Sequence, residues 1–136
     1  MKAAITIILC YVTLFAKAQF GVSYHASDLS FFGFNSTFKE RLLTELRFGT
    51  NITSSELRTE LVTSFIFRKK EDHEVYAGVG MMLRLNEEGV LVLPVGINYY
   101  PFPKKAFGFH SEVAYLAGEE DIVRGSLGIR YRFFLD

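Results

Sequence analysis

The sequence predicts an all-β fold, eight antiparallel strands in up-and-down order closed into a barrel. Three observations predict it. Segments alternating with period two recur at nearly even spacing from Phe20 to Phe134. Most connectors between them are two to five residues long, the length of hairpin turns. No connector is long enough for the crossover helix that parallel strands need. Closure of the sheet removes its two exposed edges.

Taken in order, Phe20–Ser27 sets Phe20 and Tyr24 against Gly21, and Ser30–Phe38 sets Phe32, Phe34 and Phe38 against Gly33. In Arg41–Thr50 the period-two set Leu42, Leu46 and Phe48 opposes Glu45, Arg47 and Gly49; some helical spacing over Lys39–Leu46 is accommodated equally well by a strand. Glu56–Arg68 carries Arg58 and Glu60 on one face, Phe65 and Phe67 on the other. Glu74–Asn86 puts Glu74, Gly78, Gly80 and Arg84 on one side. Val90–Tyr100 opposes Gly96 to Tyr99, but Leu91 to Val95 is apolar on both faces and contains Pro94, which has no N–H for a ladder. Ala106–Ala117 separates Gly108, His110 and Glu112 from Phe107, Phe109 and Tyr115. Ile122–Phe134 is the clearest: Val123, Gly125, Leu127, Ile129, Tyr131 and Phe133 face one way, Arg124, Ser126, Gly128, Arg130 and Arg132 the other.

Residues 1–18 read as a cleaved signal peptide, leaving 19–136 as one barrel domain. Lys2 is followed by an apolar run twelve residues long, Ile5 to Ala16, and by an Ala16-Lys17-Ala18 cleavage signal. Twelve residues are too few to cross a bilayer as a helix. Removing this segment takes away the only cysteine, Cys10, so thiolate chemistry and disulfides are excluded. It leaves 13 basic against 15 acidic residues with no basic tract, which argues against a nucleic-acid partner. No second apolar run is long enough for a helical span, so any membrane crossing is made by strands.

Alternation does not itself say which face is inside. A soluble lipocalin-like calyx holding a lipophilic ligand turns its apolar face inward; a transmembrane barrel turns it outward. Eight of the 11 glycines share the polar face, where they make room inside a narrow barrel but would only weaken a solvated surface. The charges on that face are arginines and glutamates without lysine, the composition of an enclosed ion-pair network: Glu45, Arg47, Arg58, Glu60, Glu74, Arg84, Glu112, Arg124, Arg130 and Arg132, with His110 among them. The apolar face bears fourteen aromatic rings, too many for an eight-stranded lumen. The fold expected is therefore an eight-stranded transmembrane β-barrel with its apolar face outward. Val62, Ile66, Met82, Val92 and Leu116 fall on the wrong face, which calls for a bulge or a small apolar layer in the lumen.

On these features, and on the closing Gly128-Ile-Arg-Tyr-Arg-Phe-Phe134, the chain resembles the small outer-membrane β-barrel proteins of Gram-negative bacteria, the OmpA transmembrane-domain and OmpX-like group. The resemblance implies a bacterial outer-membrane location, a monomer in contact with outer-membrane lipid, and both chain ends in the periplasm. It implies also that Gly128, Tyr131, Phe133 and Phe134 form the C-terminal insertion signal read by the barrel-assembly machinery. It transfers no catalytic residue, metal ligand or cofactor.

A structural or surface-interaction role around a plugged polar lumen follows, because filled eight-stranded barrels conduct poorly. An outer-membrane acyl hydrolase or transferase is the enzymatic rival: His110 and Glu112 share a face, and Ser23, Ser64 or Ser126 would have to approach from other strands. His25 and His110 with Glu112 lack the spacing of a metal site. The charges of the connectors and strand ends segregate, with Lys39, Arg41, Arg68, Lys69, Lys70, Lys104 and Lys105 at one rim. Asp28, Glu87, Glu88, Glu119, Glu120 and Asp121 lie at the other, where they are candidates for divalent cations bridging lipopolysaccharide phosphates.

Overall fold

The computed structural model describes residues 5–6, 19–28, 30–50, 58–84 (of Arg84, the backbone only), 88–118 and 121–133. Eight strands follow one another: β1 Gln19–Ala26, β2 Phe31–Phe38, β3 Leu42–Gly49, β4 Arg58–Lys69, β5 His73–Arg84, β6 Val90–Tyr99, β7 Phe107–Ala117 and β8 Ile122–Phe133. Each pairs antiparallel with its neighbour in sequence, and β1 pairs with β8 from Phe20↔Phe133 to Ala26↔Leu127, closing the barrel. Of the expected signal peptide only Ile5 and Thr6 are described; Phe134 and the connector 51–57 lie outside the described residues.

The apolar face points outward on every strand. Phe34, Phe65, Phe67, Val79, Leu83, Val95 and Val113 are each more than half exposed, whereas Arg47, Glu112 and Arg130 on the opposite face are at most 2% exposed. The calyx reading is thereby excluded, since its ligand cavity would require the rings inside. An apolar belt running round the whole outer wall is far more than a water-soluble monomer leaves uncovered, and it matches a hydrocarbon surround.

The misplaced apolar residues prove to be a lumen layer, and a bulge occurs separately, after Ile66. Val62, Met82, Val92, Ala114 and Leu116 pack as a cluster on the inner wall of β4–β7, and Leu43, Ile66 and Tyr76 form a second one. The β4–β5 register shifts between Ile66 and Arg68, which carries Arg68 out of the lumen. Pro94 causes no bulge: β5 and β6 keep one register on either side of it, and pairing merely lapses between Ala77↔Val95 and Gly80↔Val92. Lys69, expected in the connector that follows Arg68, belongs to β4 as its last residue. The β2–β3 turn takes positive φ at both Lys39 (48°) and Glu40 (58°), and Arg41 N–H donates to Phe38 C=O at 3.1 Å. This is the backbone of a type I′ hairpin, whose twist matches that of the strands it joins.

Candidate functional site: the lumen ion network

Strand parity delivers the inward side chains and barrel closure brings them together. Arg47 on β3 is the hub. Its Nη1 donates to Glu60 Oε1 (2.9 Å) and Glu112 Oε1 (2.9 Å), its Nη2 to Glu112 Oε2 (2.7 Å), and its Nε to Glu45 Oε1. Arg124 on β8 grips Glu60 through two parallel bonds, Nη1 to Oε2 and Nη2 to Oε1, each 2.9 Å. Paired bonds of this kind suit the planar guanidinium and need the carboxylate held in one orientation. Tyr76 Oη donates to Glu112 Oε2 (2.7 Å), Ser23 Oγ to Glu45 Oε2 (2.7 Å), and His25 Nε2 meets Glu45 Oε1 at 3.1 Å. Arg130 approaches Glu45 at 3.4 Å.

Phe31 is an inward aromatic at 3% exposure. It lies under both guanidinium groups, 5.0 Å from Arg47 and 4.5 Å from Arg124, and stacks on His25 at 4.1 Å. Cations over ring faces are favoured electrostatically, the more so when dehydrated. Nearer the chain ends, Arg132 donates to Glu74 and lies 3.9 Å from the centre of the Tyr100 ring. Asn98 Nδ2 also donates to Glu74, at 3.4 Å.

Of the residues expected in this network, Glu45, Arg47, Glu60, Glu74, Glu112, Arg124, Arg130 and Arg132 are buried there. Arg58 sits half-buried at one mouth, bordering a cavity of about 10 Å³ lined also by Phe31, Gly49 and Met82. That volume admits one water. The Arg84 side chain lies outside the described residues. His110 corrects the expectation in one respect: it is buried, but its two ring nitrogens make no hydrogen bond, and it packs against His25 with ring centres 4.0 Å apart. His73 opens β5; its Nδ1 donates to Asp72 at 2.7 Å and holds that carboxyl below its ordinary range.

Ser23, Phe31, Asn35, Tyr76, Asn98 and Tyr100 are lumen residues that reasoning from charge alone misses. The signal that finds most of them is parity: Phe31 shares a face with Gly33, Tyr76 with Glu74 and Gly78, Asn98 with Gly96.

The lumen glycines are sites of close approach. A Cβ on Gly96 would meet the Tyr76 ring at 2.5 Å, so the phenol reaches Glu112 only across a bare backbone. A Cβ on Gly128 would fall 1.7 Å from the Tyr24 carbonyl oxygen of β1 and 2.8 Å from His110. Gly128→Ala is therefore expected to strain the β1–β8 seam, lowering stability by about 1–3 kcal/mol. Gly125→Ala, where nothing lies within 4 Å, should change it by less than about 0.5 kcal/mol. Urea titration of the refolded barrel in detergent micelles measures both; equal effects would disprove the seam argument.

The hydrolase constellation does not assemble among the described residues. Ser23 donates to Glu45 rather than to an imidazole, and no serine hydroxyl bonds to His25 or His110. No group of three or more His, Asp or Glu residues is placed to hold a metal among the described residues.

No family model matches the sequence, and no curated protein matches it. Solved structures do. The chain is similar to the de novo designed transmembrane barrel TMB2.3, with a TM-score of 0.69 and 16% identity over 88% of this chain and 95% of that one. It is similar to the N-terminal β-barrel domain of Pseudomonas aeruginosa OprF, with a TM-score of 0.61 and 14% identity over 85% and 96% of the two chains. It is also similar to the Yersinia pestis outer membrane protein Ail in a phospholipid bilayer nanodisc, with a TM-score of 0.60 and 13% identity over 85% and 99%. The fold is thus that of the small eight-stranded transmembrane barrels, natural and designed.

Proposed function

We propose that the chain is a monomeric barrel of the bacterial outer membrane with a plugged lumen, serving a structural or surface-interaction role rather than transport or catalysis. Residues 1–18 are the signal peptide that exports it. Gly128, Tyr131, Phe133 and Phe134 present the closing strand to the barrel-assembly machinery, and both chain ends face the periplasm. The observation that carries the reading is the opposition of the two faces: rings and branched aliphatics outside, and inside a cross-section filled by Arg47, Glu112, Glu60, Arg124 and Phe31. An ion entering would have to displace guanidinium–carboxylate bonds in a buried cluster, where breaking a pair leaves a charge uncompensated.

Electrophoresis with and without boiling, together with planar-bilayer recording, tests this. The folded barrel should require detergent, migrate faster unboiled than boiled, and give no discrete current steps. Solubility without detergent would overturn the membrane assignment, and stable ohmic steps would overturn the plug.

A further inference from the structure

The two ends of the barrel differ in charge. The end formed by the β2–β3, β4–β5 and β6–β7 turns carries Lys39, Arg41, Arg68, Lys69, Lys70, Lys104 and Lys105 against Glu40, Glu71 and Asp72, whereas the described residues of the opposite rim include the exposed acids Asp28, Glu88 and Asp121. At the basic end some cations are already engaged. Lys69 pairs with Glu40 (3.2 Å), Arg41 donates to Ile66 C=O (3.0 Å) and Lys105 to Tyr100 C=O (3.0 Å). Arg68, Lys70 and Lys104 are exposed, and their side chains make no ion pair or hydrogen bond among the described residues.

Beside Arg68 and Lys104 stand exposed rings. Phe67 (54% exposed) immediately precedes Arg68, and Phe102 (49%) projects from the β6–β7 turn between Pro101 and Pro103, two residues before Lys104. Phe102 also contacts Phe107 at the end of the lipid-facing belt, at 6.0 Å. A ring and a cation set side by side at the margin of an apolar belt match a headgroup layer, where the ring enters the acyl boundary and the cation meets phosphate.

We propose that this rim is a docking surface for anionic phospholipid headgroups of the leaflet it faces, with Arg68, Lys70 and Lys104 as the phosphate-binding cations. It rests on the transmembrane reading above. Each cation at an anionic surface corresponds to roughly five-fold local enrichment of the lipid at low salt, falling as salt rises.

The test reconstitutes the full chain and its Arg68→Gln/Lys70→Gln/Lys104→Gln variant in nanodiscs of phosphatidylcholine with a minority of phosphatidylglycerol. Retained lipid is then counted by native mass spectrometry, and boiled and unboiled samples are compared on a gel. The parent should retain phosphatidylglycerol several-fold above its bulk fraction, and the variant should lose that preference while keeping the gel shift. An inserted barrel with equal retention in both forms overturns this proposal alone. A chain that does not insert overturns the membrane reading with it. Preference for lipopolysaccharide over phosphatidylglycerol, or retention on purified peptidoglycan with no lipid preference, would replace the assignment.

Discussion

Replacing Arg47 by methionine is expected to destabilise the barrel by about 3–5 kcal/mol, the usual consequence of removing one member of a buried ionic cluster. Methionine is apolar and unbranched and fills much of the same space, so the loss is one of charge more than of packing. The carboxylates suffer unequally. Glu60 keeps both bonds from Arg124, and Glu45 keeps Ser23, His25 and the 3.4 Å approach of Arg130. Glu112 keeps only the Tyr76 hydroxyl and a 3.9 Å contact with Arg124.

The carboxylate left most exposed to the loss is therefore Glu112, and Glu112→Gln in the Arg47→Met background should restore part of the stability. A coupling between the two positions within about 0.5–3 kcal/mol is expected from residues in direct contact. Urea titration in phosphatidylcholine vesicles, read by the gel shift, gives all four corners of the cycle. If Arg47→Met alone changes stability by less than about 0.5 kcal/mol, the lumen is wet enough to screen its charges, and the proposed plug fails. The cluster as a whole is a weaker source of stability than its bonds suggest, because dehydration of four arginines and four glutamates offsets most of their attraction.

Val95→Arg is the second large effect and tests the surroundings rather than the interior. Val95 is 55% exposed on the outer wall of β6, between Ala77 of β5 and Val113 of β7. On a water-facing strand this substitution would be close to neutral, since the arginine stays solvated. In hydrocarbon near the bilayer midplane it should cost about 2–4 kcal/mol, and the same change at Val123, the second residue of β8 and close to a rim, only about 0–1 kcal/mol. A depth dependence of this size in vesicles, absent for the inward neighbours, is the signature of lipid contact. Equal, small effects at Val95 and Val123 would place the outer wall in water.

Much of this is legible in the chain because side-chain parity in a strand is a local property. Once Arg130 is inward, Gly128 and Arg132 are inward too and Ile129 and Tyr131 are outward, whatever lies next door. The same rule places Phe31 and Tyr76 in the lumen, although their types suggest otherwise. Composition then decides the sense of the alternation, since fourteen rings do not fit inside eight strands and eight glycines have no use outside them.

The bulge at Phe67 was not legible as such. Both Phe65 and Phe67 point outward on either reading, and only the register of β4 against β5 distinguishes a bulge from a lumen layer. Nor was the isolation of His110, which shares its face with Gly108 and Glu112 while the ring it touches belongs to β1.

What the sequence determined by itself is the number of strands, their order and the side on which each residue lies, because these follow from a two-residue period and short turns. What only the tertiary structure decided is the pairing inside. Arg47 finds Glu112 sixty-five residues away, and Arg124 finds Glu60 sixty-four away. Partners across a barrel are set by the tilt and stagger with which the sheet closes, and a closed sheet's stagger is a sum over all eight seams that no single segment encodes.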